Sequence, residues 1–496
     1  MKNKVVKNFF VSILSQAIIL ILGFVVPRII LTHYGSDING LMNTITQIFT
    51  YMALLEAGIS QASRNALYKH IIDNDNNEIS VVMSGSRRYY RKISLIYLAA
   101  VVALSIVLPF ILKTEISYWT IFFFVIFEGL TSVVAFYFIN TWTCFLIASG
   151  KSYVTNLLSL LNKILCYGVR IILALYNINI VFIQVGYFIV SLIQLAIYYF
   201  YMKKMYNWID YNAAPKGYKL PDRNSFIVSE IAWAIFSSTD LIILSVFVST
   251  SLASVYSIYN MVFVALNGLL SSLYTALNYN LGQSYHIDAN KCAKVYDTFN
   301  SVFVGGMTIF MCTAYWLVIP FVRLYTEGVN DINYIYVGLP LLFCLVQLFS
   351  WGRMSGGTLI NAAGYARKLI KINVSVAIIN IVLSIILVNF LSIFGVLLAT
   401  VVALPIELIY CCYFTNKKVL NRSIWKTVAI ISANYIIFAI SAVCYEFINL
   451  VIDSYLMFIG YGFLLFVIFF VIIFIINCLI NKDLISFILK RFFKKY

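Results

Sequence analysis

Charge is what this sequence has least of. Of its 496 residues only 11% are Asp, Glu, Lys or Arg, whereas 62% are hydrophobic and the mean hydropathy is +0.92. A soluble protein with one core per domain cannot hide that much apolar surface, so lipid must be the main solvent. Histidine is scarcer still. The three present, His33, His70 and His286, lie far from one another and from any cysteine pair, which leaves no ligand set for a structural zinc ion. The nine cysteines sit mostly inside hydrophobic runs without paired spacing. They read as small apolar side chains, not as a disulfide framework or metal site. No polar stretch is long enough to form a separate soluble domain.

What is present is a succession of apolar runs of about 20 residues, the length that crosses a bilayer as a helix. Fourteen are expected, near 9–32, 39–63, 93–113, 119–149, 152–175, 180–202, 225–249, 253–281, 297–322, 333–362, 368–389, 394–415, 426–449 and 455–480. The first follows Lys2, Lys4 and Lys7 but is too long for a signal peptide and lacks a clear small-x-small cleavage site, so it is read as a span. The formal net charge of +16 is explained by where the charge falls. With the N-terminus inside, the inner segments carry 29 Lys and Arg and the outer loops two, Lys113 and Arg323. That bias is the positive-inside rule; it puts both termini in the cytoplasm and leaves no case for nucleic acid. The outer loops are short.

The chain also repeats itself. "VLPFILK" (107–113) matches "VIPFVRL" (318–324), and "LIASGKSY" (146–153) matches "LINAAGYARK" (359–368). "VFIQVGYFIVSLIQLAIYYF" (181–200) has the pattern of "IFGVLLATVVALPIELIYCCYF" (393–414). The offsets are about 211–214 residues, so spans 1–6 and 7–12 read as two copies of one six-helix unit. Six is even, so the copies share an orientation and a pseudo-two-fold along the membrane normal relates them. The expected organisation is an N-terminal six-helix bundle (1–203), a cytoplasmic linker (204–224), a second six-helix bundle (225–416), and two additional helices with a basic tail (417–496). The fold class is thus an all-α polytopic membrane protein with fourteen transmembrane helices.

Two six-helix bundles plus two helices resemble the multidrug/oligosaccharidyl-lipid/polysaccharide exporter superfamily. "PRIILTHYGSDINGLMNTITQIFTYMALLEAGISQASRNAL" (27–67) looks like that family's opening, and "TDLIILSVFVSTSLASVYSIYNMV" (239–262) like its counterpart in the second half. Within the superfamily the chain is most similar to the polysaccharide-biosynthesis branch, the Wzx-type flippases. The resemblance implies a non-enzyme of the bacterial cytoplasmic membrane that moves an undecaprenyl-diphosphate-linked oligosaccharide from the inner to the outer leaflet by alternating access. It serves capsule, O-antigen or exopolysaccharide synthesis, with polymerase and chain-length machinery as partners. The alternative is a drug antiporter of the same fold, coupled to protons or sodium.

Charges inside the spans bear on the choice, since each costs about 2.5–3.5 kcal/mol at the bilayer centre on insertion scales. Arg353 lies roughly 15 Å from the inner end of its span, near the midplane. Lys163 is at similar depth, Arg170 stands seven residues further along the same helix, and Arg28 lies about one turn inside the outer end of span 1. Together they are the expected diphosphate-binding cations, Arg as a bidentate fork and Lys as a point charge. An internal ion pair or a snorkelling side chain is the bland alternative for each. Glu56, Glu128, Asp240 and Glu407 are the candidate gating or coupling carboxylates, able to pair with a cavity cation or to carry a proton. Glu230 is close enough to the inner end to be interfacial. By the repeat, Asp240 falls at the position of Arg28, so the two could form a pair across the cavity or gate.

Other signals are weaker. "SGKS" (149–152) matches the end of a Walker loop, but Phe145 stands where its first Gly is required. "DNDNNE" (73–78) reads as a solvated turn, the 36 Tyr and 39 Phe mostly as lipid-facing residues, and "KRFFKKY" as a basic patch on anionic lipid. No cofactor is implied beyond a proton or sodium gradient.

Overall fold

The computed structural model describes residues 2–215, 239–285, 289–448, 450–482 and 484, with side chains from residue 18 onward except at 55, 57, 58, 276–280, 282, 283 and 289–291. The described residues form two compact units, Met1–Ser254 and Val255–Tyr496. Part of the expected linker (216–224), the start of the second bundle with Glu230 (225–238) and the basic tail (485–496) lie outside the described residues.

In the first unit, α1 (Lys2–Ile72) is one 71-residue helical rod broken at Gly35. Its φ of 81° with ψ of 179° is a conformation a side-chain-bearing residue rarely adopts. The break falls inside the expected outer turn, so its two arms match the first two expected spans. The unit continues with α2 (Asn76–Ile111), α3 (Tyr118–Val134), α4 (Asn140–Ala148), α5 (Ser152–Leu175), α6 (Ile180–Met205) and α7 (Thr239–Phe247), and ends in the first residues of α8 (Thr250–Tyr285). The "DNDNNE" stretch is more than a solvated turn. Asn74 takes a positive φ of 53°, and the Asp75 carboxylate accepts from the Asn77 and Glu78 N–H groups at 3.1 Å, capping α2. Between α3 and α4, Ala135–Ile139 form a π-helical turn without a proline to cause it. Its Phe136 packs edge-on to Tyr97 of α2, with ring centroids 4.9 Å apart, in a core that includes Phe49 and Phe124.

The second unit holds the rest of α8, α9 (Ala289–Tyr325), α10 (Leu339–Gly352), α11 (Met354–Ala362), α12 (Ala366–Leu391), α13 (Ile393–Phe414), α14 (Trp425–Glu446) and α15 (Tyr455–Ile480). Here α9 is the central helix. Its most apolar window is 78% buried, against 22% for α15. The two C-terminal helices dock onto it through buried polar groups. Trp316 Nε1 donates to Ser441 Oγ at 2.9 Å, and Asn481 Nδ2 donates to Ser301 Oγ at 3.0 Å. Asn434 and Asn477 exchange amide bonds of 3.0 and 2.9 Å between α14 and α15.

Among the described residues, eleven helices are long and apolar enough to cross a membrane, against the fourteen expected. Three differences account for the shortfall: the two arms of α1 follow one another across the Gly35 kink and count once, the span that contains α7 is described only from Thr239, and span 333–362 is divided at Arg353 into α10 and α11. Backbone turns recur near the repeat offset. Gly150 and Gly364 both take positive φ just beyond a helix end, as do Asn177 and Ser392 at the α5–α6 and α12–α13 turns.

Asn477→Leu strands the Asn434 amide in a buried site and is expected to cost about 1–3 kcal/mol, the penalty of an unsatisfied polar group. The double substitution Asn434→Leu/Asn477→Leu should cost less than the sum of the single ones. Thermal unfolding of the purified protein in detergent measures both.

Candidate functional site

The intramembrane charges resolve into separate polar clusters. In the second unit, the Arg353 guanidinium donates to Glu407 Oε1 across α10–α13, and both side chains are buried. With its amide nitrogen turned toward the carboxylate, Asn373 of α12 adds a 2.5 Å bond to the same oxygen. Pro405 lies two residues before Glu407 on α13, and Arg353 itself occupies the break between α10 and α11. This arrangement is an internal ion pair. A ligand for the Arg353 charge would compete with Glu407.

Arg170 of α5 lies over the Tyr187 ring of α6 at 4.1 Å, and its charge acts on Glu128 of α3. This brings a cation, an aromatic face and a carboxylate from three helices to one place in the first unit. Lys163, on the same helix, is exposed beside the exposed Leu161 and Ile164, and has no ion-pair partner among the described residues. Arg28 is half-buried directly after Pro27 of α1, and Asp240 is half-buried in α7.

Glu56 stands on the second arm of α1, half-buried. Tyr90 Oη donates to its Oε1 at 3.3 Å and also contacts Cys144 Sγ at 3.3 Å. The Arg64 charge acts on it as well, while Arg64 donates to Ser60 Oγ at 2.6 Å and Gln61 Oε1 at 2.7 Å.

Two clusters had no counterpart among the residues singled out from sequence. The first is a polar seam at the Gly35 end of the first unit. Asp37 accepts from Thr114 Oγ1 at 2.7 Å, the Glu115 N–H at 3.1 Å, Thr250 Oγ1, and Ser251 Oγ at 3.3 Å. Around it, Lys113 Nζ donates to the Phe247 carbonyl at 2.6 Å, Asn39 Nδ2 to Ser254 Oγ at 2.7 Å, and Thr44 and Ser245 share a 2.5 Å bond. Backbones approach so closely here that a Cβ on Gly40 would lie 1.7 Å from the Thr250 carbonyl oxygen. The seam joins α1, the α2–α3 loop, α7 and the start of α8. Asp37 lies within the quoted opening motif, but nothing local shows that its partners come from residues 114 and 250.

The second is in the second unit. Asp297 of α9, fully buried, receives Arg422 through bonds of 2.9 and 2.5 Å and Lys426 at 3.0 Å. Arg422 also donates to Asn416 Oδ1 at 2.9 Å, which ties the π-helical turn Thr415–Val419 and the approach to α14 to the central helix. No group of His, Cys, Asp and Glu among the described residues could hold a metal ion.

No family model matches the chain, and no curated protein matches it. Solved structures do. The fold is similar to the lipid II flippase MurJ in an inward closed conformation, with a TM-score of 0.67 and 15% identity over 96% of this chain and 100% of that one. It is similar to an inward-facing multidrug resistance MATE family transporter of the MOP superfamily, with a TM-score of 0.64 and 13% identity over 84% and 95% of the two chains. An outward-facing MATE transporter gives a TM-score of 0.50 at 11% identity, over 86% and 94%. The chain is therefore a multi-pass membrane protein with the fold of MOP superfamily transporters.

Glu407→Gln leaves Arg353 buried without its counter-charge and should destabilise the protein by about 3–5 kcal/mol, whereas replacing both partners by apolar residues of similar volume should cost far less. Thermal unfolding of the single and double variants checks this. Asp37→Ala removes the acceptor shared by four donors. It is expected to raise several-fold the rate at which a maleimide labels a Thr44→Cys reporter, and an unchanged rate would mean that Asp37 does not hold the seam shut.

Proposed function

We propose that the protein is a flippase for polyprenyl-diphosphate-linked oligosaccharide, working by alternating access in the bacterial cytoplasmic membrane with both termini cytoplasmic. The observation that carries this reading is positive charge retained inside the membrane after internal pairing is counted. Lys163, at mid-span, is exposed and has no ion-pair partner among the described residues. An uncompensated lysine at that depth is expensive, and a phosphate group is the kind of ligand that would compensate it. Arg170 and Arg28 would extend this cationic path. The Arg353–Glu407 pair would serve either as a lock or as a cation released when phosphate displaces the carboxylate. The whole-length likeness in fold to a lipid II flippase supports the substrate class at the level of a lipid-linked headgroup. On this reading a polymerase and chain-length machinery would consume the delivered product.

A second reading, a proton- or sodium-coupled drug antiporter, is favoured by Glu56. The Tyr90 hydroxyl donates to it at 3.3 Å, and no base lies within ion-pair distance of it among the described residues. Such a carboxylate could load and release a coupling cation, and a coupled flippase could use it as well.

Proteoliposomes carrying a fluorescent polyprenyl-diphosphate oligosaccharide in one leaflet separate the two. The flippase reading expects leaflet exchange well above that of empty liposomes, with Lys163→Ala lowering it at least tenfold while expression and melting are kept. No acceleration over empty liposomes, together with efflux of a cationic dye, would replace it with the antiporter reading. A rate that follows an imposed pH or Na⁺ gradient, and is lost in Glu56→Gln, would identify the coupling group.

A further inference from the structure

We propose that the arginine-rich end of the first unit is a binding site for a phosphate or diphosphate group, built by Arg87 and Arg91 of α2 against Tyr137 and Tyr211. The two arginines are one helical turn apart, a spacing at which like charges oppose each other. The groups that act on Arg87 are Arg91, Tyr211 and Tyr137. Neither arginine belongs to an ion pair among the described residues, and the buried Arg91 Nε has no hydrogen-bond partner. Two half-buried guanidiniums are thus held together without a counter-charge. Such an arrangement calls for an anion with more than one negative charge. A carboxylate would neutralise only one of them, whereas a phosphomonoester or diphosphate matches both charges and offers oxygens to both forks.

The surroundings are built rather than accidental. The Arg87 guanidinium lies 4.7 Å from the Tyr211 ring centroid and that of Arg91 lies 4.8 Å from Tyr137. Stacking of this kind occupies the flat faces and leaves the N–H edges to donate. Tyr137 is the middle residue of the π-helical turn Ala135–Ile139, an insertion that costs regular hydrogen bonding and is common at functional sites. Tyr211 is fixed as a wall: Trp142 Nε1 donates to its hydroxyl at 2.9 Å. The segment around it is strapped to α2, where Arg88 donates to the carbonyls of Ala214 and Pro215 at 3.1 Å and Ser80 Oγ accepts from the Asp210 N–H at 3.2 Å. Burial pushes the Tyr211 phenol above its ordinary range, so it stays neutral and keeps its ring as a cation platform. A hydrogen bond of 2.8 Å between Ser63 and Ser86 brings α1 alongside α2 at this level. The site follows from this geometry and does not depend on the transport reading.

Equilibrium binding to the full chain in phosphatidylcholine nanodiscs tests the site without any transport step. Inorganic pyrophosphate and a short-chain polyprenyl diphosphate are the two probes. Wild-type protein should bind at least one saturably, and Arg87→Gln/Arg91→Gln should weaken that binding by about tenfold or more, the loss expected for charge-assisted hydrogen bonds. Arg91→Lys keeps the charge but removes the fork, and should weaken binding while the melting temperature is unchanged. Weakened binding of pyrophosphate identifies a free phosphate ligand; an effect confined to the lipid probe identifies a membrane-borne one. Absence of saturable binding of either probe, or equal affinities in wild type and the folded double variant, would overturn the proposal. Binding intact in a protein that fails to transport would count against the flippase reading alone.

Discussion

Hydrocarbon cannot hydrogen-bond, so every polar group that this chain carries into an apolar interior has to find its partner inside the protein. The helices satisfy the backbone. The buried side chains are satisfied only where helices distant in sequence meet. Arg353 meets Glu407, Asp297 receives Arg422 and Lys426, and Asn434 exchanges bonds with Asn477. Each contact specifies a packing, because sliding one helix by a turn would strand both partners in a medium of low dielectric. Apolar contacts between the same helices, as alike as Leu and Ile, carry far less of that information.

The same rule sorts the charges by what they can do. Arg353 is neutralised by a buried carboxylate, whereas Arg170 lies against a tyrosine face, so a ligand for Arg353 must compete with Glu407. Lys163, Arg87 and Arg91 face no such competitor among the described residues. Among the ion pairs of the described residues, carboxylates hold Arg353, Arg422 and Lys426. Asp37 applies the rule at the Gly35 end, where one carboxylate collects donors from the α2–α3 loop and the start of α8.

Much of the helical layout was legible in the residues. Apolar runs predicted where most helices lie, although α2 begins at Asn76, not near 93, and α9 at Ala289, not near 297; the "HYGSDING" turn is where Gly35 breaks α1. Span 333–362 reads from hydropathy as one segment, yet it divides at Arg353, whose guanidinium reaches Glu407. Asp75, in a stretch that reads from composition as a solvated turn, caps α2. Arg87 and Arg91 were counted only as inner-side charge, because a charge count does not register the tyrosine that a π-helical turn sets beside one of them.

The sequence by itself determined that the chain lives in lipid and where most of its helices run. These are properties of windows of about 20 residues, set by transfer free energy and read one segment at a time. Only the tertiary structure decided which charges are cancelled and which remain. Residue 353 meets 407, 37 meets 250, and 91 meets 137. These pairings depend on helix rotation and depth across dozens to hundreds of residues, and a one-dimensional hydropathy pattern carries neither.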